Sequence, residues 1–164
     1  MSTNSFNFRI GFGVDVHQLL EGRSLIIGGV QIEAKKGALG HSDADALLHA
    51  ICDALLGAAN LRDIGHHFPD TDPAYKNVDS KELLAKSHEL IRDKGYVLVN
   101  LDCTVMLEEP KLNPHIPEMQ KIIGQILEVS EEVVSIKATR GEKMGPVGEG
   151  KAIQVYATVL IAKV

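Results

Sequence analysis

The segment SDADALLHAICDALLG, residues 42–57, decides the fold because it predicts the clearest helix of the chain. Ser42 can cap this helix, with Asp45 three residues later as the acidic partner of a capping box, and Gly57 marks its end. A helix with one apolar face needs another layer to pack against. That face consists of Leu48, Ile51, Cys52, Leu55 and Leu56.

The strands predicted around this helix supply that layer. Residues 152–162 alternate apolar and polar side chains, and Gly28-Gly29 suits a two-residue hairpin turn. The prediction is an α/β sandwich with a single four-stranded mixed sheet, helices on one face and a small β-hairpin. Strands are predicted at 8–17, 96–107, 133–139 and 152–162, the hairpin at 25–32, further helices at 80–94 and 116–127, and loops at 61–75 and 141–150.

Composition limits the classes of partner. A net charge of −5 without a basic cluster argues against nucleic acid and anionic membranes as partners, and no apolar run approaches the length of a membrane span. Two cysteines in apolar segments fit a reducing compartment, so we expect a cytoplasmic protein. Residues 1–7 resemble no signal peptide and are predicted to be a disordered leader, with residues 8–164 forming one domain.

Three side chains form a candidate metal site. Asp15 and His17 point to the same side of a strand, and His49 lies on the polar face of the helix. Three such ligands suit a catalytic zinc ion with an open position. Asp45 and Asp53, one turn before and after His49, are candidates to orient its ring. A solvated strand end and a surface histidine explain the same residues on local grounds.

Several loops carry residues suited to phosphate or metal. His41 and Ser42 precede a helix N-terminus, which favours anions. Ser42 is either only a helix cap, which its position strongly favours, or a cap that also touches ligand. The aspartates of residues 63–72 have two interpretations. They can form turns through Asx hydrogen bonds, or they can recognise sugar hydroxyls. Lys111 and residues 139–142 follow strand ends, where ligand loops are common, and Glu142 suits a hard cation such as Mg²⁺.

In combination, these motifs resemble the 2-C-methyl-D-erythritol 2,4-cyclodiphosphate synthase family of the non-mevalonate isoprenoid pathway. The resemblance spans residues 8–163. It rests on Gly13-Val-Asp-Val-His17, Ile27-Gly-Gly-Val30, His41-Ser-Asp-Ala-Asp45 with His49, Asp63-Ile-Gly65, Phe68-Pro-Asp-Thr-Asp-Pro73, Pro110-Lys-Leu112, and Lys137-Ala-Thr139 with Glu142-Lys143.

The resemblance implies a reaction and an assembly. The substrate would be 4-diphosphocytidyl-2-C-methyl-D-erythritol 2-phosphate, cyclised with release of CMP by a lyase. The enzyme would be a homotrimer with active sites between subunits, and residues 8–164 would be its catalytic domain. It would use Zn²⁺, or another divalent metal, at Asp15, His17 and His49, and Mg²⁺ or Mn²⁺ with the substrate diphosphate at Glu142.

The resemblance also implies substrate contacts. Asp15 and His17 would contact substrate as well as metal, and His41 and Arg140 would be catalytic. His41 and Ser42 would meet the erythritol phosphate, and Asp63, Ile64 and Gly65 the sugar. A loop of Phe68, Pro69, Asp70, Thr71 and Asp72 would close over the erythritol. The cytidine pocket would contain Leu107, Pro110, Lys111, Leu112 and Asn113, and the diphosphate site Ala138, Thr139, Arg140, Gly141 and Glu142.

Two departures from the family pattern stand in the last loop. Arg140 occupies a position where the family commonly has threonine, and residues 145–150 form a shorter loop without the Phe and Arg linked to an isoprenoid diphosphate. The resemblance therefore does not extend to this second ligand. A metal-dependent phosphohydrolase and a non-catalytic trimeric protein that binds cytidine nucleotide and metal remain the alternative functions.

Overall fold

The structure is a computed structural model that describes residues 7–75 and 77–164. Its elements follow in chain order, with short 3₁₀ turns between some of them. They are β1 (Phe8–Glu21), β2 (Leu25–Ile27), β3 (Val30–Ile32), β4 (Lys36–Ala38), α1 (Ala46–Ala58), α2 (Ile64–His67), α3 (Ser80–Asp93), β5 (Tyr96–Met106), α4 (Ile116–Ile126), β6 (Val134–Thr139), α5 (Gly145–Gly148) and β7 (Ala152–Lys163).

The main sheet has the strand order β4-β1-β7-β5-β6. Only the β5–β6 pair is parallel among the four pairs, so the sheet is mixed, and β2 and β3 form the separate hairpin. These features confirm the predicted architecture. The predicted count of four strands is wrong by one, because Lys36–Ala38 pairs with Leu19–Glu21. Three residues centred on glycine carry no readable alternation, so this edge strand leaves no pattern in the sequence.

Helix α1 packs directly on the backbone of β1. A Cβ atom added to Gly11 would lie 1.8 Å from the Ala54 carbonyl oxygen, and one on Gly13 would lie 2.0 Å from that of Ala50. Glycine at both positions lets the helix approach closer than any side chain allows. Apart from Gly57 and the half-buried His49 and Asp53, the residues of α1 are buried, and they form the centre of the core.

The other face of β1 carries no helix. Ile10 is 73% exposed, Phe12 61% and Val16 54%, whereas the glycines between them are buried. The helices therefore cover one face of the sheet, as predicted, and a row of large apolar side chains lies open on the other.

Several local predictions differ from the structure. Helix α1 begins after Asp45, whose carboxylate caps it, so Ser42 is not the cap. Strand β5 contains a bulge between Leu98 and Asn100, and Val99 at the bulge is exposed. The predicted leader lies outside the described residues except for Asn7, whose carbonyl accepts a hydrogen bond from the Lys163 N–H.

The predicted loops 61–75 and 141–150 contain the short helices α2 and α5. Both have four residues, too few for a periodic apolar pattern. Among the helices of the described residues, none has the length and apolar content needed to cross a membrane.

Candidate metal centre and substrate site

Asp15, His17 and His49 converge where β1 passes under α1. Residues 15 and 17 share the helix-facing side of the strand, as the period of two predicts. Asp15 Oδ2 lies 2.8 Å from His17 Nε2 and 3.1 Å from His49 Nδ1, and the two ring nitrogens are 3.4 Å apart. One carboxylate oxygen and two imidazole nitrogens therefore face a common point, and the set fits a divalent metal ion.

The charges of the cluster favour an anionic Asp15. Burial alone would raise the pKa of Asp15, but its close contacts with the His17 and His49 rings, which can carry positive charge, outweigh burial and hold that pKa below its ordinary value. Burial would likewise lower the pKa of His17, but its bond to Asp15 raises it above the ordinary value. The cluster therefore holds one negative charge that attracts either a proton on His17 or a metal cation.

A backbone carbonyl fixes which ring nitrogen of His17 carries a hydrogen. His17 Nδ1 lies 2.7 Å from the carbonyl oxygen of Leu39, which can only accept, so Nδ1 carries the hydrogen. In a neutral ring this leaves the lone pair on Nε2, the atom that faces Asp15 and His49. The second nitrogen of His17 is thus prepared to ligate a metal.

Asp45 and Asp53, which were predicted to orient the ring of His49, accept hydrogen bonds from backbone N–H groups instead. Asp45 is fully buried and accepts hydrogen bonds from the backbone N–H groups of Gly28, Gly29, Leu47 and Leu48. Because it caps α1, its side chain folds back onto the helix start instead of lying one turn below His49. Burial raises the pKa of Asp45 to about 6, although these N–H donors act against that increase.

Asp53 accepts the N–H of Ile64 at 2.7 Å, so it anchors the start of α2 and not the ring of His49. The outer nitrogen of His49, Nε2, lies instead 2.8 Å from the Ser80 hydroxyl and 3.1 Å from that of Ser42. The Ser80 hydroxyl in turn donates to Asp43. Sequence reasoning missed Ser80 and Asp43 as site residues because Ser80 lies 31 positions from His49 and carries no local signal beyond a helix start.

The segment 41–43 lies beside the metal cluster. The His41 side chain is exposed, and its carbonyl accepts the Asn77 N–H. The Ser42 hydroxyl accepts the Ala44 N–H while lying near His49. The Ser42 hydroxyl therefore lies at the edge of the metal cluster, and His41 directly precedes Ser42 in the chain.

Residues 63–72 form the adjoining loop. Asp63 is exposed, and its carbonyl accepts the His66 N–H at the first turn of α2, which includes Ile64 and Gly65. Phe68 is half-buried, with its ring 5.5 Å from that of Tyr75. Of the rest of the predicted loop, Pro69 is half-buried, and Asp70, Thr71 and Asp72 are exposed. The bond from Ile64 to Asp53 ties this loop to the helix that carries His49.

A cavity of about 240 Å³ contains most of the predicted cytidine and diphosphate residues. It forms where the parallel strands β5 and β6 end together, with the Leu107 N–H donating to the Thr139 carbonyl. The lining residues are Leu107, Pro110, Lys111, Leu112, Asn113, Ala138, Thr139 and Arg140.

The two remaining predicted residues follow directly in the chain. The Gly141 N–H donates to Glu108, and Glu142 is exposed with a left-handed backbone, at φ of 51°. Its carboxylate is open to a cation. Among the described residues, Asp15, His17 and His49 form the one group of three or more metal-competent side chains, and Glu142 belongs to no such group.

The metal cluster and the cavity are separate within one chain. Asp15 pairs with Val155, Val155 with Val105, and Val105 with Ala138, so they stand in one row across the sheet. Three strand spacings place the Asp15 and Ala138 backbones about 14 Å apart. Both halves of the predicted site lie at the same end of the sheet, but the chain does not bring them into contact.

Comparisons with known proteins identify the family. Residues 8–162 match the model of the YgbB family. The 2-C-methyl-D-erythritol 2,4-cyclodiphosphate synthase of Bacteroides thetaiotaomicron is 59% identical over 155 residues, which cover 94% of this chain and 98% of that protein.

Solved structures agree with this match. The bifunctional IspDF from Campylobacter jejuni superposes with a TM-score of 0.93 at 41% identity over 98% of this chain, which spans 43% of that larger protein. A 2C-methyl-D-erythritol-2,4-cyclodiphosphate synthase described as bound to CDP superposes at 0.87 with 35% identity, over 93% of this chain and 99% of that one. The chain therefore belongs to the YgbB family, the family of 2-C-methyl-D-erythritol 2,4-cyclodiphosphate synthases.

Proposed function

We propose that the chain cyclises 4-diphosphocytidyl-2-C-methyl-D-erythritol 2-phosphate to 2-C-methyl-D-erythritol 2,4-cyclodiphosphate and releases CMP, as a lyase of isoprenoid precursor biosynthesis. The observation that carries the proposal is the convergence of Asp15, His17 and His49 in a chain of this family. An anionic carboxylate between two imidazoles is a donor set suited to a metal that binds phosphate oxygen.

Zn²⁺ is the metal we propose for this cluster, because mixed oxygen and imidazole ligands with an open position are typical of catalytic zinc. Mg²⁺ or Mn²⁺ is proposed at Glu142, since a single carboxylate plus substrate phosphates is a common way of holding these ions. Bound there, the two cations would neutralise phosphate charge and act as Lewis acids.

The reaction needs two anionic groups of one substrate to meet. An oxygen of the 2-phosphate attacks the β-phosphorus and forms a new P–O bond, while the bond from that phosphorus to the bridging oxygen breaks and CMP leaves with that oxygen. His41 and Ser42 would hold the 2-phosphate, and Arg140 would offset charge at the diphosphate. Positioning and charge neutralisation then provide most of the catalysis.

No protein nucleophile takes part in this scheme. Burial raises the pKa of Cys52 to about 12 and also raises that of Cys103, so neither thiol ionises near neutrality. Two free buried cysteines also support our placement of the enzyme in the reducing cytoplasm.

The cavity at the ends of β5 and β6 is our proposed cytidine pocket. Lys111 and Arg140 line it beside the apolar Leu107 and Leu112, so cations stand next to a surface on which a base can pack. The relative described as bound to CDP supports a cytidine nucleotide as the occupant. Ile64 and the loop 68–72 would close over the erythritol from the side of the metal cluster.

We further propose a homotrimer with active sites between subunits. The open face of β1 exposes a contiguous row of Ile10, Phe12, Val14 and Val16, which is a large apolar area for a monomer. The separation of about 14 Å between the metal cluster and the cytidine pocket supports the same assembly. Association would cover the apolar face and place one chain's pocket against another chain's metal cluster.

The test is incubation of purified protein with the cytidyl substrate, Zn²⁺ and Mg²⁺, followed by phosphorus NMR. We expect CMP and a cyclic diphosphate. His49→Ala should lose both bound metal and turnover, while His115→Ala, which removes an imidazole directly before α4, should keep both. Inorganic phosphate as the product would identify a phosphohydrolase, and nucleotide binding without turnover would identify a binding protein. Either result would reject the proposal.

A further inference from the structure

Metal binding at the proposed site requires one particular tautomer of His49, and the three metal ligands do not themselves fix that tautomer. His49 must present an unprotonated Nδ1 to the metal, because Nδ1 is the nitrogen that faces Asp15 and His17. Asp15 Oδ2, at 3.1 Å, accepts hydrogen bonds and therefore favours a proton on Nδ1 in the metal-free protein. Another group must therefore accept a hydrogen bond from Nε2 and so keep the ring proton on that nitrogen.

The partner of His49 Nε2 is a hydroxyl, unlike the carbonyl that fixes His17. The Ser80 Oγ atom lies 2.8 Å from Nε2 and is fully buried. A hydroxyl can either donate or accept, so Ser80 alone does not determine which ring nitrogen carries the proton.

Asp43 removes this ambiguity. The single hydroxyl hydrogen of Ser80 is donated to Asp43 Oδ1, and the Ser80 backbone N–H donates to Asp43 Oδ2 at 3.0 Å. An ionised carboxylate only accepts, so the Ser80 oxygen is left as an acceptor toward His49. Nε2 must then donate, which leaves the lone pair on Nδ1.

We infer that Asp43 and Ser80 are positioning residues that fix the metal-binding tautomer of His49. The inference rests on the proposed function, since it explains how the chain prepares the metal ligand. Their position is itself secured, because the Asp43 N–H donates to the Val78 carbonyl and the Asn77 N–H to that of His41. The beginning of α3 is thereby fastened to the segment before α1.

Without the Ser80 hydroxyl, the ring proton of His49 should move to Nδ1. The remaining neighbour of Nε2 is the Ser42 hydroxyl at 3.1 Å, whose oxygen already accepts the Ala44 N–H. Its own hydrogen can then be donated to Nε2, and the Asp15 carboxylate, at 3.1 Å from Nδ1, draws the ring proton to that nitrogen. The metal would have to displace that proton, so its affinity would fall.

The direct test is nitrogen NMR of the histidine rings in metal-free protein at about pH 8, well above the ordinary histidine pKa. We expect the Nε2–H tautomer of His49 in the wild type and a large Nδ1–H population in Ser80→Ala. Ser87→Ala is the matched control, because Ser87 is equally buried on α3 but donates to the Leu83 carbonyl.

Zn²⁺ affinity, measured by competition with a chromophoric chelator, is the second readout. Ser80→Ala should bind Zn²⁺ about 10- to 100-fold more weakly than Ser87→Ala, the range typical of residues that orient a metal ligand. Asp43→Asn should show a smaller loss in the same direction. An Nδ1–H tautomer in the wild type, or affinities of Ser80→Ala and Ser87→Ala within about twofold of each other, would overturn the inference.

The two proposals fail in different ways. If Ser80→Ala does not fold, the tautomer of the wild-type protein still decides the role of the pair. A wild type with the expected tautomer and bound Zn²⁺ but no CMP production would reject the proposed reaction and leave the positioning role intact.

Discussion

Substituting Gly13 by alanine should separate the metal ligands without touching them. A Cβ at this position would lie 2.0 Å from the Ala50 carbonyl oxygen, a backbone atom that cannot rotate away. Ordinary contact at about 3.5 Å requires that α1 and β1 move about 1.5 Å apart. Gly13 lies two residues before Asp15, and Ala50 directly follows His49, so the movement falls on the metal cluster.

The structure sets the size of the effect. Overpacking of a core typically costs about 1–3 kcal/mol, and a clash with backbone should reach the upper end of that range. The distance from Asp15 Oδ2 to His49 Nδ1, now 3.1 Å, would grow by a similar amount. Metal–ligand distances vary by only about 0.2 Å, so Zn²⁺ affinity should fall at least about 100-fold.

Urea unfolding and chelator competition measure the two effects. Gly57→Ala is the matched control, because it makes the same change in α1 where no atom lies within 4 Å of the added Cβ. It should leave Zn²⁺ binding unchanged and stabilise the protein by up to about 1 kcal/mol through helix propensity. If Gly13→Ala matched the wild type in both measurements, the close approach of helix and strand would not set the metal geometry.

Three further predictions concern charge, assembly and capping. Because its pKa is raised, His17 stabilises the metal-free fold in full below its unfolded value of about 6.5 and loses that contribution as pH rises through its folded value. Zn²⁺ competes with the proton on His17, so the gain in Tm on adding Zn²⁺ should grow from about pH 6 to 8. An equal gain at both pH values would contradict His17 as a metal ligand with a raised pKa. Phe12→Glu, on the open sheet face, should reduce the mass measured by light scattering to that of a monomer, with loss of turnover; a trimer of normal activity would exclude this face as the interface. Asp45→Ala leaves four backbone N–H groups without their acceptor and should cost about 2–4 kcal/mol in urea unfolding. Asp79→Ala removes one part-buried capping bond and should cost about 1 kcal/mol. Equal losses would show that the bonds from Gly28 and Gly29 to Asp45 add nothing to stability.

Elements with a long repeating pattern were predictable from the sequence. Helix α1 and strand β7 each carry one apolar side chain set at a constant period, and their positions differ from prediction by only a few residues at the ends. Three-residue β4 has no period to read, and the bulge at Leu98 breaks a period that continues on either side. Short or interrupted patterns therefore account for the errors in the fold.

The candidate site shows the same division. Asp15 and His17 were assigned to one side of a strand from spacing alone, and His49 to the polar face of a helix. The family resemblance, which the comparisons confirm, joined them into one proposal. Asp45 was misassigned because helix periodicity cannot distinguish a carboxylate on the helix face from one that caps the first turn.

The sequence by itself determined the apolar periods of the long elements and the residue types along them, because such patterns repeat every two to four positions. Only the tertiary structure decided that Gly13 brings α1 against β1, that Asp45 binds the hairpin turn, and that Ser80 reaches His49 across 31 positions. Such contacts depend on how whole elements pack, which no local pattern encodes. The candidate metal ligands could thus be predicted from the sequence, whereas the groups that orient them could be identified only from the fold.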